Sequence, residues 1–153
     1  MGRVGHGLLL LAGVLVLIQF IRPARNISMK DYPADISRIY PMEVKVQGIL
    51  RNSCYDCHSN NTNYPWYAQI QPSGWWLHSH IKKGKEELNF NEFGNYSFRR
   101  QQSKLKAIAG TIKDGTMPIS SYTLIHKNAR LSKAEQDLIL NWIEETRDSL
   151  SKN

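Results

Sequence analysis

The segment Cys54-Tyr55-Asp56-Cys57-His58 contains both cysteines of the chain, and a histidine directly follows the second. Two thiols at this spacing, with an imidazole next to them, are typical of four kinds of site. They could form a redox dithiol, part of a zinc site, a short disulfide or the attachment point of a covalently bound haem. The surrounding sequence has to decide among these chemistries.

Three of the four chemistries lack their usual context. A redox CxxC normally opens a helix after a strand, and no strand-like alternation of useful length occurs in this chain. A structural zinc ion needs four ligands, and a second ligand pair at zinc-finger spacing is missing, although further histidines are available: His58, His78, His80 and His126. A disulfide within CxxC closes a very short loop and would add little stability. These alternatives stay open, but each leaves part of the motif unexplained.

Covalent haem attachment accounts for all three residues of the motif. Cys54 and Cys57 would form thioethers with the two haem vinyl groups, and His58 would be the proximal iron ligand. We therefore expect one covalently attached haem c, with cofactor-binding residues Cys54, Cys57 and His58.

The second axial ligand decides the chemistry of such a haem. Met117, in the turn Gly115-Thr116-Met117-Pro118, is the favoured candidate for metal ligation together with His58. A methionine sulfur raises the reduction potential, a histidine lowers it, and an open position permits catalysis or gas binding. Packing of Met117 in the core remains an alternative, as does ligation by one of the other histidines: His78, His80 or His126.

The beginning of the chain is a nearly uninterrupted apolar run over residues 4–21. Its length is at the lower edge of a transmembrane span. Arg22, Pro23 and Arg25 follow it, where a cleaved signal peptide would need small residues. We therefore predict an N-terminal transmembrane helix that is retained as an anchor, with a removed signal segment as the alternative.

The composition and the positions of the prolines suggest one domain with an N-terminal extension. The chain has 153 residues and a formal net charge of +7, so acidic proteins and anionic lipids are plausible partners. We divide it into an anchor or signal segment at residues 1–25, a proline-containing linker at 26–40 and a haem-binding domain at 41–150. Basic residues could form a docking face for an acidic redox partner or simply a solvated surface: Lys82, Lys83, Lys85, Arg99, Arg100, Lys104 and Lys106.

Apolar periodicity in the domain is helical. We predict helices at residues 43–51, 75–88 and 104–113, although Gly84 weakens the second. A final helix starts after Ser132, which forms a capping box with Glu135. The fold class is therefore all-α.

Aromatic residues between the motif and the later helices could wall the haem, or form an ordinary small core: Tyr64, Trp66, Tyr67, Trp75 and Trp76. The backbone carbonyl of Pro65 or Pro72 could orient the imidazole of His58, unless these prolines are only turn residues.

The order of a short helix, CxxCH, a long excursion, a Met-Pro turn and the helix "LSKAEQDLILNWIEE" resembles a class I cytochrome c. The stretches "ILRNSCYDCHSNNTNYPWYAQIQPSGWW" and "HIKKGKEELNF" more closely resemble the bacterial haem-binding domain family with a single CxxCH. This resemblance implies a cytochrome c-like helical domain in which Cys54, Cys57 and His58 hold the haem.

The expected function is that of a membrane-tethered mono-haem c-type cytochrome in the bacterial inner membrane, with its haem domain facing the periplasm. It would transfer single electrons to or from a redox protein, with no nucleic-acid partner and with no catalysis of its own. The alternative is a five-coordinate haem enzyme or sensor that acts on peroxide or a small gas.

Overall fold

The computed structural model describes residues 2–28 and 30–151, and in this part of the chain it contains helices and no β-strand. This confirms the all-α fold class. The helices are α1 (Arg3–Ile18), α2 (Ile36–Ile39), α3 (Val44–Ser53), α4 (Tyr55–His58), α5 (Ser73–Glu87), α6 (Phe98–Lys113), α7 (Ser120–Ile125) and α8 (Lys133–Ser151). Short 3-10 helices lie at Trp66–Gln69, Phe90–Asn95 and Lys127–Ala129.

The core forms where α3 and α6 both pack against α8. Leu50 of α3, Leu105 of α6 and Ile139 of α8 are almost completely buried. Phe90 and Phe93, from the 3-10 helix between α5 and α6, complete this apolar cluster. Burial of each such side chain contributes about 1.5–3 kcal/mol. The same packing holds the motif-bearing end of α3 in a fixed position.

Helix α6 starts six residues before the predicted segment at 104–113. Its first residue, Phe98, is 53% exposed, so the added turns have no buried stripe that periodicity could detect. The helices predicted at 43–51 and 75–88 correspond to α3 and α5, and their ends differ from the observed ones by two residues or fewer. Helix α8 starts directly after Ser132, as predicted.

The predicted capping box at the start of α8 is present. The Ser132 backbone N–H donates to Glu135 Oε2 at 2.8 Å, and the Glu135 N–H donates back to Ser132 Oγ at 3.3 Å. The Ser132 hydroxyl also donates to Glu135 Oε2 at 2.7 Å. The hydrogen bonds that the hydroxyl and the backbone N–H of Ser132 donate lower the pKa of the Glu135 carboxyl, because they stabilise its charged form. Local sequence therefore determines where α8 begins.

The N-terminal helix is shorter than the apolar run from which we predicted it. Helix α1 covers 16 residues, which corresponds to about 24 Å, compared with the roughly 30 Å hydrocarbon core of a bilayer. Within residues 2–28 and 30–151, no helix is both long enough and apolar enough to cross a membrane. The predicted N-terminal transmembrane helix is therefore not found in this part of the chain.

The segment at residues 26–40 makes specific contacts with the body of the protein. Asn26 Nδ2 donates to Ser59 O and Thr62 Oγ1, both at 2.9 Å. The carboxylate of Asp35 is 4% exposed and accepts from Tyr55 Oη at 3.0 Å. Both contacts join this segment to the region around the CxxCH motif. Met29, a methionine of the predicted linker, lies outside the described residues. The domain boundaries at 25 and 40 stay predictions.

Candidate functional site

A short break between α3 and α4 presents the CxxCH motif. Cys54 lies between the two helices with a backbone φ of −128° and ψ of −39°. Its carbonyl accepts hydrogen bonds from the N–H groups of Cys57 at 3.2 Å and His58 at 3.0 Å. The motif is thus a single helical turn, and the core contacts of α3 hold that turn in place.

Two adjoining cavities, of about 260 and 190 Å³, lie against this turn. The two cavities share six of their lining residues: Ser53, Cys54, His58, Glu87, Met117 and Pro118. Apolar side chains from α6 and from the 3-10 helix after α5 line the larger cavity, while Cys57, Ile119 and Tyr122 line the smaller one. The structure therefore places all four predicted site residues, Cys54, Cys57, His58 and Met117, around one space.

Met117 reaches this space because α6 ends in a tight turn. Gly115 has a φ of +65°, a conformation that glycine adopts without steric cost. The backbone N–H groups of Thr116 and Met117 then both donate to Thr111 O, at 3.0 and 3.3 Å. This turn directs the chain back across the cavity, and Met117 remains 39% exposed.

The imidazole of His58 is oriented by the end of α5. Its Nδ1–H donates to the carbonyls of Gly84 at 2.9 Å and Leu88 at 3.1 Å. These contacts fix the tautomer and leave Nε2 without a hydrogen-bond partner among the described residues. Burial lowers the pKa of His58, because the charged imidazolium is disfavoured away from water. His58 is therefore a neutral base with one nitrogen available to a metal.

The carbonyl groups that accept from His58 are not those of Pro65 or Pro72, the two possibilities considered from the sequence. Neither Pro65 nor Pro72 contacts the imidazole, since the accepting carbonyls belong to Gly84 and Leu88. Both accepting residues are at the C-terminal end of α5, where several carbonyl groups lack partners within the helix. Gly84 O also accepts from the backbone N–H of Leu88 at 2.9 Å, so His58 is a second donor to that carbonyl.

Gly84 allows α5 to approach the motif closely. A Cβ atom built on Gly84 would lie 2.7 Å from Cys57 O and 3.3 Å from Cys57 Cβ. The first distance is well below van der Waals contact, and it involves backbone, which cannot rotate away. A glycine that looked like a weak point in a helix is thus required for the contact between α5 and the motif.

We expect Gly84→Ala to destabilise the domain by about 2 kcal/mol, because the added methyl group must push α5 away from the Cys57 carbonyl. The matched control is Gly110→Ala in α6, where a Cβ atom meets nothing within 4 Å. This control should be neutral or slightly stabilising, since alanine favours the helix. Urea unfolding monitored by circular dichroism gives both values, and equal stability of the two variants would contradict the steric explanation.

The thiols are free and half-buried. Burial raises the pKa of Cys54 to about 12 and that of Cys57 to about 11. A redox dithiol instead needs a lowered pKa, because the thiolate is the reactive form. In the described part of the chain, no group of three or more His, Cys, Asp or Glu residues is placed to hold a metal ion, which argues against the zinc alternative.

The histidines considered as rival ligands lie in different environments. His78 lines separate cavities near Arg25. His126 Nε2 and Tyr67 Oη are hydrogen-bonded to each other at 2.8 Å. His80 lines the smaller site cavity, and its Nδ1–H donates to Trp76 O at 2.9 Å. Only His80, of these three, lines either of the two site cavities.

The predicted aromatic wall does not line the two cavities. This holds for all five of its residues: Tyr64, Trp66, Tyr67, Trp75 and Trp76. Sequence reasoning missed the residues that do enclose the space: Phe90, Ile108, Ile112, Ile119, Tyr122 and Leu131. The i, i+4 spacing of Ile108 and Ile112 was a usable signal for one wall. Tyr122 gave none, because its contact with the motif, Tyr122 Oη to Asp56 Oδ2 at 2.7 Å, joins distant parts of the chain.

The donor set and the enclosure fit a haem. The site combines two free thiols on one helical turn, an imidazole with an available Nε2 and a thioether beside the same apolar space.

A family model described as a haem-binding domain matches residues 13–145. The chain belongs to the haem-binding domain family. No curated protein and no solved structure matches the chain. As a member of this family the protein is a haem protein, and the family match contains all four residues Cys54, Cys57, His58 and Met117.

Proposed function

We propose that this haem-binding protein is a c-type cytochrome with one covalently attached haem. Each of the thiols of Cys54 and Cys57 would add across a vinyl double bond, and His58 Nε2 would be the proximal iron ligand. Support comes from the single helical turn that carries all three residues and from the Nδ1 contacts with Gly84 and Leu88. These contacts hold the imidazole in one tautomer and one orientation.

We propose Met117 as the second axial ligand and single-electron transfer as the function. The observation that carries this proposal is that His58 and Met117 line the same two cavities. Bound haem supplies an iron that changes its oxidation state by one electron, and a thioether ligand favours the ferrous form. Apolar side chains line most of the larger cavity, while the helical turn and α5 hold the imidazole of His58 in one orientation.

An acidic redox protein is the proposed partner. Lys83 and Lys104 line the rims of the site cavities, so positive charge is near the place where an electron would enter or leave. Glu87 reduces this charge, because Lys104 Nζ lies 3.7 Å from Glu87 Oε2. Complementary charges of this kind accelerate association more than they strengthen it.

We also propose attachment to a bilayer through α1, with the haem domain facing the periplasm at the bacterial inner membrane. Helix α1 has no buried residue, and its apolar side chains are exposed around the whole helix. An apolar surface of this size needs a cover, and lipid is the cover that an all-round apolar helix favours. A preceding apolar segment is also typical of domains that are exported from the cytoplasm.

Electronic spectra of the purified full-length protein in both oxidation states test the proposed function. We expect the bands of a low-spin, six-coordinate c-type haem, together with slow binding of carbon monoxide and negligible peroxidase turnover. A high-spin resting spectrum with rapid ligand binding would instead favour the five-coordinate enzyme or sensor. A spectrum without thioether-linked haem would contradict the c-type assignment.

A further inference from the structure

The base of α1 is attached to the turn that precedes α5. Gln19 Nε2 donates to Gln71 O at 3.2 Å, and the Gln71 backbone N–H donates to Gln19 Oε1 at 2.9 Å. Trp75 Nε1–H donates to Ile21 O at 2.7 Å. Three hydrogen bonds therefore fix the end of the apolar helix relative to residues 71–75.

Two large apolar side chains next to this attachment are exposed. Ile70, which directly precedes Gln71, is 50% exposed, and Trp66 at the start of the same 3-10 turn is 74% exposed. The Trp66 ring contacts Tyr67 only edge-on, with the ring centroids 6.0 Å apart. Tryptophan has an apolar body and a polar N–H group, so it favours the boundary between lipid and water.

The charged side chains that follow α1 at this attachment are all positive. Arg22 and Arg25 follow α1 and are both exposed, and residues 2–28 contain no aspartate or glutamate. Such a segment attracts anionic lipid headgroups. The apolar helix, the exposed Trp66 and Ile70, and the arginines thus combine the features of a surface that lies on an anionic bilayer.

We infer that Trp66 and Ile70 form a second lipid-contact surface, which enters the bilayer interface together with α1 and sets the orientation of the domain on the membrane. This inference rests on the proposed attachment through α1. Because the hydrogen bonds of Gln71 and Trp75 connect both surfaces, insertion of α1 brings Trp66 and Ile70 to the lipid at the same time.

The test compares flotation of the full-length haem-loaded protein with vesicles of phosphatidylglycerol and phosphatidylcholine. The double variant Trp66→Ser, Ile70→Ser should bind these vesicles about thirtyfold more weakly than the unmodified protein, because two partly exposed apolar side chains no longer enter the interface. Trp66→Phe alone should retain most of the affinity. The amount of protein in the floated fraction, measured on a gel, gives the result independently of haem content.

The matched control is Val44→Ser, Leu124→Ser, at positions that are 85% and 74% exposed and outside the attachment. This control should bind like the unmodified protein, and circular dichroism checks that every variant is folded. Equal weakening in both double variants, or no weakening in the Trp66 and Ile70 variant, overturns the second surface while attachment through α1 stands. Failure of the unmodified protein to float overturns the attachment and this inference together, whereas the haem assignment is judged separately by its spectrum.

Discussion

Replacement of Cys54 and Cys57 together by alanine should change the haem from inseparable to fully extractable. In the unmodified protein two thioether bonds would hold the haem through denaturation and acid–acetone extraction. In the double variant only axial ligation and apolar contacts would remain, and both are lost when the chain unfolds. Haem staining after denaturing electrophoresis should therefore fall from about one haem per chain to none.

The single variants Cys54→Ala and Cys57→Ala are the matched controls. Each retains one thiol on the same helical turn, so each should keep haem covalently bound through one thioether. Extractable haem in the unmodified protein would contradict covalent attachment, even though the chain belongs to a haem-binding family. Stoichiometric zinc in place of haem would contradict the whole assignment of the motif.

Met117→Ala should open the sixth coordination position. The sulfur of Met117 is next to the cavities that His58 also lines, and no other methionine lines either of them in the described part of the chain. Without this thioether, the resting protein should become high-spin or bind water, and it should react faster with carbon monoxide. The reduction potential should fall by on the order of 0.1 V, a fraction of the roughly 0.8 V range that axial ligands span. Absorption spectroscopy and potentiometric titration measure these changes.

Two variants decide whether the change is specific to Met117. Met42 packs against the core and lines neither cavity, so Met42→Ala should leave the spectrum unchanged. His80 lines the smaller cavity and is the structural rival, so His80→Ala should also leave the spectrum unchanged if Met117 is the ligand. A spectral switch in His80→Ala, with none in Met117→Ala, would transfer the ligand role to His80 and predict a lower potential.

Local chemistry in the sequence was sufficient to predict several features of this protein. The apolar spacing in α3, α6 and α8 predicted helices, because a helical period depends only on neighbouring residues. The capping box of Ser132 and Glu135 predicted the start of α8 for the same reason, since its partners are three residues apart. The spacing of Cys54, Cys57 and His58 predicted that one turn carries all three, and the backbone hydrogen bonds to Cys54 O form that turn.

Features that depend on contacts between distant residues required the tertiary structure. The carbonyls that orient His58 are at positions 84 and 88, and the sequence alone could not show whether Pro65 or Pro72 lies near the imidazole. Helix propensity alone made Gly84 look unfavourable in α5. The reason for a glycine at this position is the close approach of Cys57, which is a contact between distant residues. Likewise, α1 ends earlier than its apolar run, at the point where the Gln19 side chain binds Gln71. Periodicity and capping operate within one or two turns, whereas orientation of the ligand, enclosure of the cavity and attachment of α1 arise only when segments far apart in the chain are packed together.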